Sequence, residues 1–441
     1  MSTATSIGGS IAITNATIVD ADGTRRADLL IQGGHVIAVG ERLDGDTVID
    51  ADGLVVAPGF VDLQVHFREP GDEEAETIQT GSRGAALGGF TACVAMPNTT
   101  PTADSVAVVQ QILDAASDAL CEVVPAAAMT IGRAGEQLAP MAELVRAGVR
   151  IFTDDGAGLQ DARLMRTALE YASGLSHLAD GFDIVLAQHC EADALAAGGV
   201  MHEGEWSSVL GMPGQPAEAE ELMVMRDIAL ARLTGGRVHF QHVSTAGGVS
   251  MIRAAKEAGL SVTAEATPHH LCLDHSACQH FDPVFKVNPP LRSADDVAAV
   301  KAGLLDGTID AIATDHAPHT RQAKERPFLS APAGMLGLET AFAIANTELG
   351  AAGADIEQIV RLLSINPARI AGIDDRHGGS IEAGRPANLT ILDLDEEWTV
   401  TGASMASRST NTPYEGRIVR GRVRHTFWNG EHVVNDSEAT R

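Results

Sequence analysis

The sequence predicts an α/β fold: a (β/α)8 barrel carrying a small β-sandwich built from both chain ends. Three observations carry this expectation. Eight apolar, β-branched runs follow one another from residue 59 to about 319. Ala/Leu-rich stretches with helical spacing, such as ADSVAVVQQILDAASDAL and AEELMVMRDIALARLTG, separate most of them. Most of the runs also end in a polar residue capable of chemistry.

In chain order the runs are GFVDLQVHF, GFTACVAMPN, CEVVPAAAMT, GVRIFTDDG, FDIVLAQHCE, RVHFQHVST, SVTAEATPHH and TIDAIATDHAPH. Strand–helix alternation argues for a parallel sheet covered by helices. Eight units with continuously apolar strands fit a closed barrel better than an open sheet. The run ends carry His66 and Arg68, Asn98, Asp154 and Asp155, His189, His242, His269 and His270, then Asp315 and His319. In such a barrel the C-terminal strand ends form one mouth, so these residues converge. Residues 59–376 are expected to form the barrel. Residues 1–58 and 377–441 hold short alternating segments with turns, and are expected to pair as one sandwich.

Composition narrows the function. The chain has 441 residues, 45% hydrophobic, with a formal charge of −28. Such an acidic surface disfavours nucleic acid or an anionic membrane as a general partner. The N-terminus lacks a basic region followed by a long apolar one, and no apolar run is long enough to span a bilayer. Five cysteines without a CxxC pair argue against a disulfide framework, and a cytoplasmic setting is expected.

Histidine and aspartate without cysteine suit zinc or a similar divalent ion, imidazole supplying nitrogen and carboxylate supplying charge. His66, His189, His242, Asp155 and Asp315 sit at different strand ends, which makes them candidate ligands. Opening or closing a cyclic amide needs a polarised carbonyl, an activated water and a proton shuttle; a metal supplies the first two. Asp315 can take the proton and pass it to the departing nitrogen. Arg68, two residues after His66, suits a substrate carboxylate, which guanidinium binds bidentately.

The stretch PGFVDLQVHFREPGDEEAETIQTGSRGAALGGFTACVAMPNTTP, followed in order by FTDDG, AQHCE, HVST, PHHL, KVNPPLR and ATDHAPHT, resembles the long-chain (class I) bacterial dihydroorotases of the amidohydrolase superfamily. The resemblance implies reversible cyclisation of N-carbamoyl-L-aspartate to L-dihydroorotate in pyrimidine biosynthesis. It also implies roles for individual residues. His66 and Asp315 resemble ligands of one zinc ion, His189 and His242 those of a second, and Asp155 the bridging ligand. His66, Arg68, Asn98 and His319 resemble contacts to substrate, the last three its carboxylate clamp. Asn288 resembles a contact to the pyrimidine ring, with the backbone of Ala333 and Gly334 beside it. A homodimer, and a complex with aspartate carbamoyltransferase, are the implied partners.

Related hydantoinases, dihydropyrimidinases and allantoinases usually bridge their metals with a carboxylated lysine at the fourth strand end. The first lysine here is Lys256, and the fourth strand ends in Thr153-Asp154-Asp155, so an aspartate must serve. In one place the sequence departs from the family: the usual His-x-His reads Gln64-Val65-His66. Glutamine is a poorer zinc ligand, so one or two ions are expected, the first weakly held. Ala333 stands where the family has Phe. The alternatives are another cyclic-ureide amidohydrolase, or a non-catalytic homologue that scaffolds aspartate carbamoyltransferase. Residues 319–334 are expected to form a mobile lid.

Overall fold

The computed structural model describes residues 9–441. The first eight residues of the expected N-terminal sandwich segment, which open the stretch read for a leader, lie outside the described residues.

Each of the eight runs contains a parallel strand. Phe60–Val65, Phe90–Ala95 and Glu122–Pro125 form one arc, and Ile151–Phe152, Val185–Gln188, Arg237–Phe240, Val262–Ala266 and Ala311–Ile312 form the other. Two isolated parallel bridges, Ala127 to Phe152 and Val65 to His316, join the arcs and close the barrel. Its interior is filled by small and branched residues from alternate positions, among them Val61, Leu63, Ala92, Val94, Ala126, Val185 and Ala311. Ala368, Ile370 and Ile373 close the end away from the site.

One irregularity positions the site. In the first strand, Asp62 pairs with Cys93 but Val65 pairs with Ala95, so three residues advance against two. Strand parity changes across this bulge. Val61 and Leu63 face the barrel interior before it, whereas Gln64 and His66 face the cavity after it. The Asp62 carboxylate supports the bulge by accepting the N–H of Gln64 at 3.1 Å and of Thr314 at 3.0 Å. It thereby ties the first strand to the eighth.

The two chain ends share one nine-stranded sheet. Val55–Pro58 lies parallel to Ile11–Asp20 and antiparallel to Leu389–Thr399, so the last N-terminal strand is where the two ends join. Ile13, Ile18, Leu29, Val56, Ile391 and Phe427 pack in its core. The chain leaves this sheet for the barrel at Gly59. A Cβ there would lie 2.2 Å from the Thr91 side chain, so only glycine allows the close approach. The C-terminal segment does not stay in the sheet throughout. Ser409 Oγ donates to the Ala75 carbonyl at 2.8 Å, and Ser407 bonds to the buried Glu76 on the barrel.

A second clamp joins the start of the third strand to the segment leading into the sandwich. Arg376 donates Nε to Glu122 at 2.9 Å, and His377 Nε2 meets the same carboxylate at 2.8 Å. Burial pushes Glu122 up, but His377 and Arg376 outweigh it and hold the carboxyl at about 2. A depressed carboxyl stabilises the fold above the ordinary glutamate range and loses that contribution as pH falls through about 2. Glu122→Gln is therefore expected to cost about 1–3 kcal/mol in urea unfolding at pH 7. The gap from the parent should narrow as pH is lowered from 5 to 2; equal stabilities at pH 7 would remove the clamp from the account.

Candidate metal centre and active site

Residues from around the barrel line one cavity of about 230 Å³ at the mouth. Its wall includes His66, Arg68, Asn98, Asp155, His189, His242, Asn288, Asp315, His319, Ala333 and Gly334, together with Gln64, Gly156 and Ala317. No lysine lines it among the described residues. The other strand-end candidates turn elsewhere. Asp154 accepts the Thr130 N–H at 3.0 Å and the Thr130 hydroxyl. His270 sits between Thr267 Oγ1 and the Pro289 carbonyl, at 2.8 and 3.1 Å, and His269 is buried beside it.

Asp155 is the hub. Its Oδ1 accepts from Gln64 Nε2 at 2.8 Å and faces His189 Nδ1 and His242 Nε2, each at 3.7 Å. Its Oδ2 faces Asn98 Nδ2 at 3.4 Å and His66 Nε2 at 3.5 Å. Burial pushes this carboxyl up, but the neighbouring His242, His66 and His189 hold it well below the usual carboxylate range. His189 Nδ1 and His242 Nε2 lie 2.8 Å apart. Two imidazole nitrogens this close share a proton, one ring donating N–H to the other.

The donor chemistry fits a divalent ion. Asp155, His189 and His242 each offer one buried ligand atom, all within 4.8 Å of one another. Two nitrogens and one carboxylate oxygen form a set that suits zinc and leaves a position open. His242 Nδ1 and Gln64 Oε1 are buried without hydrogen-bond partners. His66 and Asp315 are brought together differently. They contact each other, Nε2 to Oδ1 at 3.0 Å, while His66 Nδ1 meets Asn98 Oδ1 at 2.9 Å. Gln64 Nε2 lies 3.5 Å from the same Asp315 oxygen. The first strand therefore aims an amide N–H at both carboxylates.

Arg68 anchors another part of the cavity wall. Its Nε donates to the Pro318 carbonyl at 3.1 Å and its Nη2 lies 3.4 Å from His319 Nε2. Burial, then the Arg68 charge, pulls His319 down to about 3, so its ring is neutral and has one N–H to give. The shorter contact, 2.7 Å to the Ala333 carbonyl, takes that N–H. Asn288 Nδ2 reaches to 3.4 Å from His189 Nε2.

The backbone is unusual at three of these positions. Arg68, His242 and Asp315 have φ of 61°, 36° and 45°. Such left-handed residues cost about 1–3 kcal/mol each and persist only where the surroundings impose them. Behind His242, the buried Glu220 accepts the N–H groups of Ser244 and Thr245, each at 3.0 Å. Before Asp315, Asp62 accepts the Thr314 N–H.

Sequence reasoning passed over several supporting groups. Glu191 lies 3.7 Å from His189 Nε2. Burial opposes its ionisation, but His189 outweighs burial and holds it at about 2. Its place two residues after His189 was the available signal. Arg133 bonds to the Asp155 carbonyl. Asn411, from the C-terminal segment, donates Nδ2 to the carbonyls of Ala317 and Gly334, both at 3.1 Å, and accepts the His319 N–H at 3.2 Å. Nothing in its local sequence marked it.

Comparison with known proteins follows this geometry. The Dihydro-orotase-like family model matches residues 53–247, and the Amidohydrolase family model matches residues 200–434. A dihydroorotase of Pelotomaculum thermopropionicum is 47% identical over 430 residues, covering 96% of this chain and 98% of its own. The chain belongs to the dihydroorotase-like family of amidohydrolases. Another family member, a dihydroorotase of Mycobacterium tuberculosis, is 46% identical, covering 94% of this chain and 96% of its own. Among solved structures, an L-hydantoinase of Arthrobacter aurescens superposes with a TM-score of 0.87 at 25% identity, covering 98% of each chain. A D-hydantoinase of a Bacillus species gives 0.85 at 26%, covering 98% of this chain and 96% of its own. The fold is thus the amidohydrolase barrel with its terminal-strand sheet.

If the three-residue cluster is the ion site, His242→Ala and Asp155→Asn should each abolish high-affinity zinc binding in calorimetry, while Asp154→Asn should leave it intact. Retention of tight binding by His242→Ala would place the ion elsewhere.

Proposed function

We propose that this chain is a zinc-dependent dihydroorotase, interconverting N-carbamoyl-L-aspartate and L-dihydroorotate plus water in pyrimidine biosynthesis. The observation that carries the reading is Arg68. It is the only arginine or lysine on the cavity wall among the described residues, and it stands opposite the Asp155, His189 and His242 cluster. A ring amide with a carboxylate substituent matches that pairing; dihydrouracil and hydantoin lack the carboxylate.

A divalent ion held by Asp155, His189 and His242 supplies Lewis acidity at the amide carbonyl. Arg68 binds the substrate carboxylate through paired N–H donors. Asn98 and the neutral His319 flank it, and Asn288 faces the ring. Asp315 takes the proton of the attacking water on ring opening and delivers it to the leaving nitrogen; in closure the order reverses. His66 Nε2, 3.0 Å from Asp315 Oδ1, orients that carboxylate toward the cavity.

Gln64 supports a stoichiometry of one tightly held ion. Its amide donates toward Asp155 and Asp315, occupying with a neutral N–H donor the side where a second cation would need a ligand. The same proposal includes a cytoplasmic homodimer, able to associate with aspartate carbamoyltransferase. All five cysteines are free thiols, which suits a reducing compartment. Helix Glu218–Thr234 leaves Leu222, Met225 and Leu233 exposed along its outer side, a face that a second copy can cover.

Purified with zinc, the protein should hydrolyse dihydroorotate and leave dihydrouracil, hydantoin and allantoin untouched. Arg68→Met should raise KM for dihydroorotate about 100-fold, the loss expected for one charge-assisted bidentate contact. Absence of dihydroorotate turnover with any divalent metal would overturn the reading. Elemental analysis should find one zinc per chain, rising toward two in Gln64→His; two in the parent protein would remove Gln64 from the argument.

A further inference from the structure

The chain has only four lysines, Lys256, Lys286, Lys301 and Lys324. Two pair with acids on the barrel exterior, Lys256 with Asp310 and Lys301 with Glu348. Among the described residues the other two have no carboxylate within ion-pair distance, and they stand at the mouth, where they reach across to each other's loops.

Lys324 ends the short helix Arg321–Lys324 in the loop after the eighth strand, and it is only 7% exposed. Its ammonium donates to three main-chain carbonyls: Pro283 at 2.9 Å, Lys286 at 3.3 Å and Pro332 at 2.9 Å. The first two belong to the loop after the seventh strand, which carries Asn288; the third belongs to the far limb of its own loop. Lys286 makes the return connection. Its Nζ donates to the carbonyls of Phe328 and Leu329, each at 3.0 Å, at the tip of the eighth-strand loop. The Lys286 carbonyl also accepts the Gly334 N–H at 2.9 Å.

A cation buried without a counter-ion is expensive, and three carbonyl dipoles are the direct compensation here. Burial, with Lys286 nearby, pulls Lys324 down to about 7. A fold that keeps such a group at this position, in a chain almost free of lysine, has a use for the bonds it makes. The residues it holds explain that use. Pro332 adjoins Ala333, whose carbonyl fixes the His319 ring, and His319 stands beside Arg68.

We infer that Lys286 and Lys324 are positioning residues that latch the seventh- and eighth-strand loops together, and so set the affinity of the site for a substrate carboxylate. The residues of the expected lid, 319–334, are in this arrangement held shut by paired ammonium-to-carbonyl bonds. Neither lysine touches the cavity. The affinity part of the inference rests on the dihydroorotase reading; the latch itself does not.

The test uses the zinc-loaded full chain and two variants, Lys324→Met and Lys286→Met, which keep side-chain length and remove the donors. Amide hydrogen exchange across residues 319–334 should accelerate at least tenfold in both. KM for dihydroorotate should rise at least tenfold while kcat falls less than threefold and zinc content stays at the parent level. The double variant should be no worse than the poorer single one, because either loss opens the same latch. Unchanged exchange in the loop overturns the latch, whatever the kinetics. Faster exchange with KM within twofold of the parent overturns its role in substrate affinity. If Lys324→Met does not fold, Lys286→Met, from the more exposed side of the pair, decides both points. Should the parent protein fail to turn over dihydroorotate, the functional reading falls, and the exchange measurement still decides the latch.

Discussion

The Asp155 carboxylate is the interaction on which the site depends. Side chains from the first, second, fifth and sixth strands point nitrogen at its two oxygens, and Arg133 holds its main-chain carbonyl. A buried anion this well surrounded stays ionised, and both His189 and His242 face the same oxygen of it at 3.7 Å. The barrel supplies the convergence, since these residues lie far apart in the chain and meet only because parallel strands end on one rim. The two imidazoles also hold each other, Nδ1 to Nε2 at 2.8 Å.

Strain and support are arranged around that centre. Left-handed backbone at Arg68, His242 and Asp315 points their side chains into the cavity. Carboxylates set back from the cavity, Glu220 behind His242 and Asp62 beside Asp315, accept the N–H groups these turns leave free. Asp62 has a second task at the first-strand bulge, where its acceptance of the Gln64 N–H accompanies the change of parity that turns Gln64 and His66 inward. Thus Gln64, which stands where the resemblance leads one to expect histidine, sits at the point where the strand is re-aimed.

Much of this was readable in the sequence. All eight barrel strands lie within runs recognised from apolar, β-branched composition, even where regular hydrogen bonding shrinks to two residues, as at Ile151–Phe152 and Ala311–Ile312. His66, Arg68, Asn98, Asp155, His189, His242, Asp315 and His319 were readable because they lie at or just beyond strand ends, whereas Asn288, Ala333 and Gly334 came only from the family resemblance. What was not readable depends on contacts between segments far apart in the chain. A strict period of two carried back through the first strand would put Asp62 inside with Gln64, and only pairing with the second strand reveals the bulge. His269 and His270 have the same strand-end placement as His242, yet the short helix Pro268–Cys272 turns them away. Asn411 lies in the C-terminal part expected to belong to the sandwich, and its role appears only once its segment is seen crossing the barrel mouth.

That crossing has a consequence for how the molecule comes into being. The barrel strands are all synthesised by residue 312, but the bonds that Asn411 gives to the Ala317 and Gly334 carbonyls and accepts from the His319 N–H require another hundred residues of chain. Glu122 likewise waits for Arg376 and His377. A nascent chain therefore has the residues of the Asp155, His189 and His242 cluster in hand long before the cavity rim is complete. A chain ending before residue 411 would carry every residue of the Asp155 cluster and lack the side chain that ties Ala317, Gly334 and His319 together at the cavity rim.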